Sequence, residues 1–222
     1  MSSIFDVLTD LPLFKGVSHE KMTRAAGQFR FEFKKFAPSE VIVKAGDLCG
    51  SLIFILSGRS TSVCRLHSGI TVEQLLPEKV ALAPEFLFGR TTSHPATVTA
   101  VDDCAVLEIQ KSDYTEIVRT DRVFFLNYLN LLCQKSQKCY DNEWFNGSAA
   151  VRLAAIADYF SDAKSLEVTV SCDGNLYELL GVSLDEYRSE LNRLKDLFVV
   201  KSFDDSKAVI ADRRELLSLR DK

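Results

Sequence analysis

Beyond about residue 29 the chain alternates apolar and polar positions in short runs: FRFEFKKF, EVIVKAG, SLIFILSG, STSVCRL, ITVEQLL, ATVTAVDD and CAVLEIQ. Val, Ile, Phe and Thr dominate these runs. Turn residues recur about every ten positions, at Pro38, Gly46-Asp47, Ser57-Gly58 and Ser68-Gly69. Many short strands at that spacing predict a β-sandwich or jelly roll. Ahead of them, residues 4–29 (IFDVLTDLPLF, then SHEKMTRAAGQF) predict one or two short helices, the second with Ser18 as its N-cap.

The period changes at about Ser112. From there to Asn146 the chain has no glycine or proline, and apolar residues recur at helical spacing: Phe124, Tyr128 and Leu131, then Phe125, Leu129 and Leu132. Ser112 or Asp113 offers an N-cap, and Asn146-Gly147 closes the stretch with residues that tolerate the left-handed region. Two readings stay open: one long helix, kinked or straight, or two core helices broken near Thr120-Asp121. Apolar content from Val123 to Cys133 is too wide for one covering surface. That favours a helix packed on its own domain and on a second copy of itself, with Phe125, Leu129 and Leu132 at the dimer interface.

A second pattern follows Gly147. SAAVRLAAIADYF predicts a helix capped by Ser148, and KSLEVTV a short strand. DGNLYELLGVSLDEYRSELNRLKDLFVV then predicts helix, tight turn, helix. Gly181 sits in the turn, and Ser183 with Glu186 forms the capping box of the second helix. FVVKS, the Asp204-Asp205 turn and KAVIAD predict a two-stranded wing.

Composition narrows the classes. In 222 residues no run of 18 apolar positions occurs, so no membrane span is expected. MSSIFDVLTD has no signal-peptide pattern, so a cytoplasmic chain is expected. Six scattered cysteines without a C-x-x-C pair are expected to pack as small apolar residues. No nucleophile–base pair and no clustered metal ligands support an enzyme.

LPLFKGVS, VIVKAGDLCGSLIFILSGRSTSV and the strand around CAVLEIQKSDY together resemble the effector domain of CRP/FNR transcription regulators. ELLGVS followed by SELNRLKD is similar to that family's DNA-reading segment. The resemblance runs from about Leu11 to Leu219. It implies an α+β chain in three parts: a cyclic-nucleotide-binding-like double-stranded β-helix over 1–112, a long dimerisation helix over 113–146, and a winged helix-turn-helix over 147–222. It also implies a homodimer, double-stranded DNA as partner, RNA polymerase as a further partner, and a small-molecule effector.

The family's nucleotide cassette reads Gly-Glu-Leu-x-Leu, a loop, then Arg-Ser-Ala-Thr. Here the matching positions are Pro84, Glu85, Phe86, Leu87 and Phe88, then His94, Pro95, Ala96 and Thr97. Pro84 and Pro95 have no amide N–H, and a neutral His94 cannot make the guanidinium fork on phosphate. Each lost charged hydrogen bond is worth about 1.5–3 kcal/mol, so cyclic AMP is not the expected effector. Of the three histidines only His94 falls in this segment, a thin basis for haem. An iron–sulfur cluster of the FNR kind needs an N-terminal cysteine group, and no cysteine precedes Cys49. The effector therefore stays unidentified.

In the reading segment the resemblance implies Arg-Glu and a second Arg four residues on, where this chain has Leu184, Asp185 and Ser189. Ser183, Leu184, Asp185, Tyr187, Arg188 and Asn192 are the residues placed to meet DNA, with Arg188 foremost. Residues 148–222 hold 11 Lys and Arg against 14 Asp and Glu, a net charge of −3. A DNA-binding unit is expected to be basic on at least one face. The alternative is a module that keeps the fold, senses a ligand or binds a protein, and has lost its operator.

Overall fold

The alternating runs form eight strands before residue 111: β1 (Phe31–Phe36), β2 (Val41–Val43), β3 (Ser51–Ser57), β4 (Ser60–Arg65), β5 (Ile70–Leu76), β6 (Val80–Leu82), β7 (Thr97–Ala100) and β8 (Cys104–Gln110). The computed structural model describes residues 8–137 and 147–218. Of these, 8–60 and 77–136 form one unit, and 61–76, 137 and 147–218 form a second. The hairpin Thr61–Leu76, assigned to the first domain by sequence, thus clusters with the C-terminal residues.

In the first unit an antiparallel sheet runs β1-β8-β3-β6, and β2 pairs with β7. The β3 stretch Leu52–Leu56 is buried throughout, as a strand covered on both faces must be. Leu52, Phe54 and Leu56 point one way with Leu107 and Ile109 of β8, into a core with Leu11, Leu13, Phe14 and the following helices. The Phe14 ring sits edge-on to Phe31, Phe54 and Phe124 at centroid distances of 6.1, 6.3 and 5.5 Å. The β3–β4 turn requires Gly58. Its φ is +85°, and a Cβ there would lie 2.5 Å from the Asp103 carbonyl oxygen. Helix α1 (His19–Gln28) starts at the expected cap, with Ser18 Oγ accepting from the Lys21 amide at 3.4 Å.

The expectation of one long helix is corrected: the stretch folds as α2 (Lys111–Thr120) and α3 (Arg122–Gln137), broken at Asp121. Asp121 has extended backbone at φ −140°, ψ 118°, and its Oδ1 accepts from the Val123 amide at 2.9 Å, capping α3. The other oxygen meets Lys21 of α1 at 2.8 Å. Burial works against this carboxylate's charge, yet the Lys21 ammonium and Val123 amide hold it below its ordinary range. The start also moves. Helix α2 follows Gln110, and Asp113 instead accepts from the Arg30 amide at 3.3 Å. The expected end at Asn146 lies outside the described residues, as do residues 4–7 of the first predicted helix.

The second unit contains α4 (Ala149–Phe160), β9 (Val168–Cys172), α5 (Leu176–Leu180), α6 (Leu184–Asp196), β10 (Val200–Phe203), β11 (Lys207–Ile210) and α7 (Arg213–Ser218). Its antiparallel sheet runs β10-β11-β9-β5-β4, with Ile70 opposite Cys172 and Gln74 opposite Val168. Leu153, Ala157, Val170, Leu180, Tyr187, Leu191 and Leu194 fill its core together with Val72 of β5. Gln74 is buried where β5 meets the α4–β9 loop. Its Oε1 accepts from the Asp162 amide at 2.7 Å and from Ser165 Oγ at 2.8 Å.

Helix α6 ends in a Schellman motif: the Phe198 amide donates to the Lys195 carbonyl at 3.0 Å and the Val199 amide to the Leu194 carbonyl at 2.9 Å. The left-handed residue this motif requires is Phe198 at φ +60°, with its side chain 86% exposed. A non-glycine residue there carries about 1–2 kcal/mol of strain. Little burial is lost on truncation, so Phe198→Gly is expected to stabilise the protein by about 0.5–1 kcal/mol, read as a higher denaturation midpoint at unchanged slope.

Candidate functional site

The cassette positions fall on two segments of the first unit. Pro84–Phe86 form a single 3₁₀ turn entered through Ala83, a left-handed residue at φ +43°. The turn engages its own amides: Phe86 N–H donates to the Ala83 carbonyl at 3.0 Å and Leu87 N–H to that of Pro84 at 3.3 Å. Pro84 and Leu87 are buried, Glu85 and Phe86 half-buried. The Pro84 carbonyl also accepts from Tyr128 of α3, whose hydroxyl donates at 2.8 Å. Burial, then the neighbouring Cys49 and Glu85, push that hydroxyl up to about 12, so it stays a donor at neutral pH. Tyr128 further packs edge-on against Phe88 and Tyr114.

The second segment lies against residues 46–49. His94 N–H donates to the Asp47 carbonyl and its own carbonyl accepts from Gly46, both at 2.9 Å, while Cys49 N–H donates to Thr92 at 2.8 Å. Thr97 Oγ1 accepts from the Ala45 amide at 3.1 Å. His94 is 5% exposed, and burial pushes its imidazole below the ordinary value despite Asp47 and Glu108, so it is neutral at pH 7. Pro95 and Ala96 are half-buried. Neither proline has an N–H, the histidine carries no charge, and two amides of the first segment are already bonded. These residues do not fit a cyclic-nucleotide phosphate. Cys49 joins the two segments, its amide on Thr92 and its thiol pushed up by burial and by Glu85.

On α3, Phe124 and Tyr128 face the core of the first unit, and Leu132 packs against the same cluster. Phe125, Leu126 and Leu129 are 45%, 43% and 37% exposed. Of the three residues expected at a dimer interface, Phe125 and Leu129 share this open face and Leu132 leans inward. Leu126 lies beside them, a position the sequence reading does not include.

In the second unit α5 and α6 meet across Gly181 at φ +67°, where a Cβ would lie 2.9 Å from an Arg152 guanidinium nitrogen. Arg152 is thereby tied down: it donates to the carbonyls of Leu180 at 2.6 Å, Gly181 at 3.1 Å and Gly147 at 2.7 Å. Ser183 caps α6, accepting from the Glu186 amide at 3.1 Å. Asp185, Arg188 and Asn192 are exposed, and Leu184 is half-buried. Tyr187 is corrected out of the reading set. It is fully buried, and its hydroxyl donates to the Asp204 carbonyl at 2.8 Å, leaving no edge for a base. Arg188 is paired with Asp205, donating to both carboxylate oxygens at 3.1 Å, and Arg193 pairs with Glu190 at 3.2 Å. The Arg193–Glu190 pair is local, three residues apart on α6, whereas the Leu180 and Asp205 partners of Arg152 and Arg188 have no signal in the local sequence.

Among the described residues no group of three or more His, Cys, Asp or Glu could hold a metal ion, and no helix is long and apolar enough to cross a membrane. Residues 33–121 match the family model of the cyclic nucleotide-binding domain. No curated protein sequence matches the chain. Among solved structures it is similar to the catabolite activator protein of Thermus thermophilus, at 19% identity and a TM-score of 0.52, over 94% of this chain and 98% of that one. It is also similar to the sensor domain of the transcriptional regulator DNR from Pseudomonas aeruginosa, at 15% identity and a TM-score of 0.52, over 62% of this chain and 91% of that one. At these identities the likeness shows the fold.

Proposed function

We propose that this chain is an effector-responsive, DNA-binding transcription regulator of the CRP/FNR type, acting as a homodimer and not responding to cyclic AMP. The observation that carries the reading is the α5–Gly181–α6 arrangement with its capped second helix, followed by the β10–β11 hairpin. That is the element order of a winged helix-turn-helix, and it follows a segment matching the cyclic nucleotide-binding domain. The division into 1–112, 113–146 and 147–222 belongs to the same reading, with the exposed face of α3 as the dimer surface. Tyr128 supplies a route from the Pro84–Phe86 turn to α3. A ligand that moved the Pro84–Phe86 turn would strain the hydroxyl–carbonyl bond and shift α3, biasing how two copies of that helix pack.

Charge favours a second reading, a protein-interaction module that keeps the fold without an operator. Arg152, Arg188 and Arg193 all have internal partners, and the C-terminal residues are net negative. A duplex of about 30 base pairs from the protein's own upstream region, long enough for two half-sites one helical turn apart, separates the two. The regulator should bind it at ~50 mM salt, weaken steeply toward ~200 mM, and ignore added cyclic AMP. Leu129→Glu should sediment as a monomer and lose that binding, because it buries an unpaired charge at the interface. If wild type binds no DNA at ~50 mM salt, the interaction module takes over.

A further inference from the structure

The turn between β10 and β11 is held from several sides. The Asp204 amide donates to the Lys207 carbonyl at 2.9 Å, and Tyr187 of α6 donates to the Asp204 carbonyl at 2.8 Å. The Asp204 carboxylate accepts from the Ser206 amide at 2.8 Å and its hydroxyl at 2.9 Å, which hold it below the ordinary carboxylate range. The Asp205 carbonyl accepts from the Leu176 amide at the start of α5, at 2.6 Å. Asp204 therefore builds the turn, while the Asp205 side chain is left over and presented to Arg188 at 3.1 Å. The other acids of this surface have local explanations. Asp185 and Glu186 lie in the first turn of α6, where negative charge suits the helix dipole. Asp205 has none.

We propose that Asp205 is an intramolecular counter-ion that competes with DNA phosphate for Arg188, and so sets how weakly this surface engages DNA. The proposal rests on the DNA-binding reading above. The pair is about half exposed on both sides, 54% for Arg188 and 44% for Asp205, so it is a weak ion pair that a phosphate can displace. Displacement forfeits the Arg188–Asp205 pair, and that cost lowers affinity without regard to sequence. The turn fixes the Asp205 backbone, so its carboxylate stays within side-chain reach of Arg188.

The test is Asp205→Asn, which keeps the backbone bond to Leu176 and removes the charge, measured with the ~30-base-pair duplex and a scrambled duplex at several salt concentrations. Binding should tighten about three- to ten-fold on both duplexes at ~50 mM salt, and the log–log salt slope should steepen by about one phosphate. In an Arg188→Ala background the same change should have no effect on either quantity. An unchanged melting temperature for Asp205→Asn shows that the turn is intact. If wild type binds DNA and Asp205→Asn binds equally, the inference is overturned while the DNA-binding reading stands. Tightening that persists without Arg188 also overturns it, since Asp205 would then act by general repulsion. If neither protein binds either duplex, both the reading and the counter-ion role fall.

Discussion

Arg213→Ala is expected to destabilise the protein by about 3–5 kcal/mol, the range for breaking a buried ion pair from one side. The guanidinium is 4% exposed at the start of α7 and reaches back into the α4–β9 loop. Its Nε donates to the Ser165 carbonyl at 3.0 Å, one terminal nitrogen donates to Ala163 at 2.7 Å, and the other pairs with Asp158. Alanine would remove all three contacts and leave the buried Ser165 carbonyl and the Ala163 carbonyl without this donor. Arg213→Lys should recover only part of the loss, because an ammonium cannot serve three divergent acceptors with planar geometry. The effect should spread to β5, since the same loop supplies the Asp162 amide and Ser165 hydroxyl that hold Gln74. Urea denaturation gives the magnitude, and hydrogen exchange at Val72 and Gln74 reports the spread. A loss below about 1 kcal/mol would show that the network contributes nothing beyond a surface pair.

Tyr187→Ala is expected to cost a similar amount, about 3–5 kcal/mol, through loss of a fully buried aromatic ring. The ring lies edge-on to Phe203 at 5.9 Å and 6.3 Å from Tyr177, at the centre of the second core. Tyr187→Phe keeps the packing but leaves the Asp204 carbonyl without its donor, at about 1 kcal/mol. The pair of variants separates two roles. A DNA-contacting tyrosine would lose affinity in both variants at unchanged stability, whereas a core tyrosine loses stability in both and leaves the phenylalanine protein able to bind whatever wild type binds. Thermal melts alongside the duplex assay decide between them.

Most elements of the fold are legible in the chain, because their causes are local. Alternation produced β3 and β8, positive-φ glycines marked the turns at Gly58 and Gly181, and Ser18 and Ser183 capped the helices that follow them. The replacements at Pro84, His94 and Pro95 could also be read from the chain, since a missing N–H or a missing guanidinium needs no geometry to recognise. The path from 112 to 137 was only half legible. The local sequence suits one helix or two, and Asp121 became a break because Lys21 stands opposite it in the folded first unit.

Side-chain assignments failed wherever the deciding partner was distant in sequence. Tyr187 looked like a residue able to reach a base, yet the packing of α6 against the wing turned it inward. Nothing in the local sequence of Arg152, Arg188 and Arg213 marks what they meet. In the fold they cap a helix, meet a wing carboxylate and staple a loop. Strand β5 pairs with β9, far along the chain, a pairing with no local signal. The chain by itself determined most of the strands and helices, where they turn, and that Pro84 and Pro95 offer no amide N–H. Only the tertiary structure decided which charges remain for a partner, because an arginine is committed by whatever the fold brings within about 3 Å of it, and that distance is not a function of spacing along the chain.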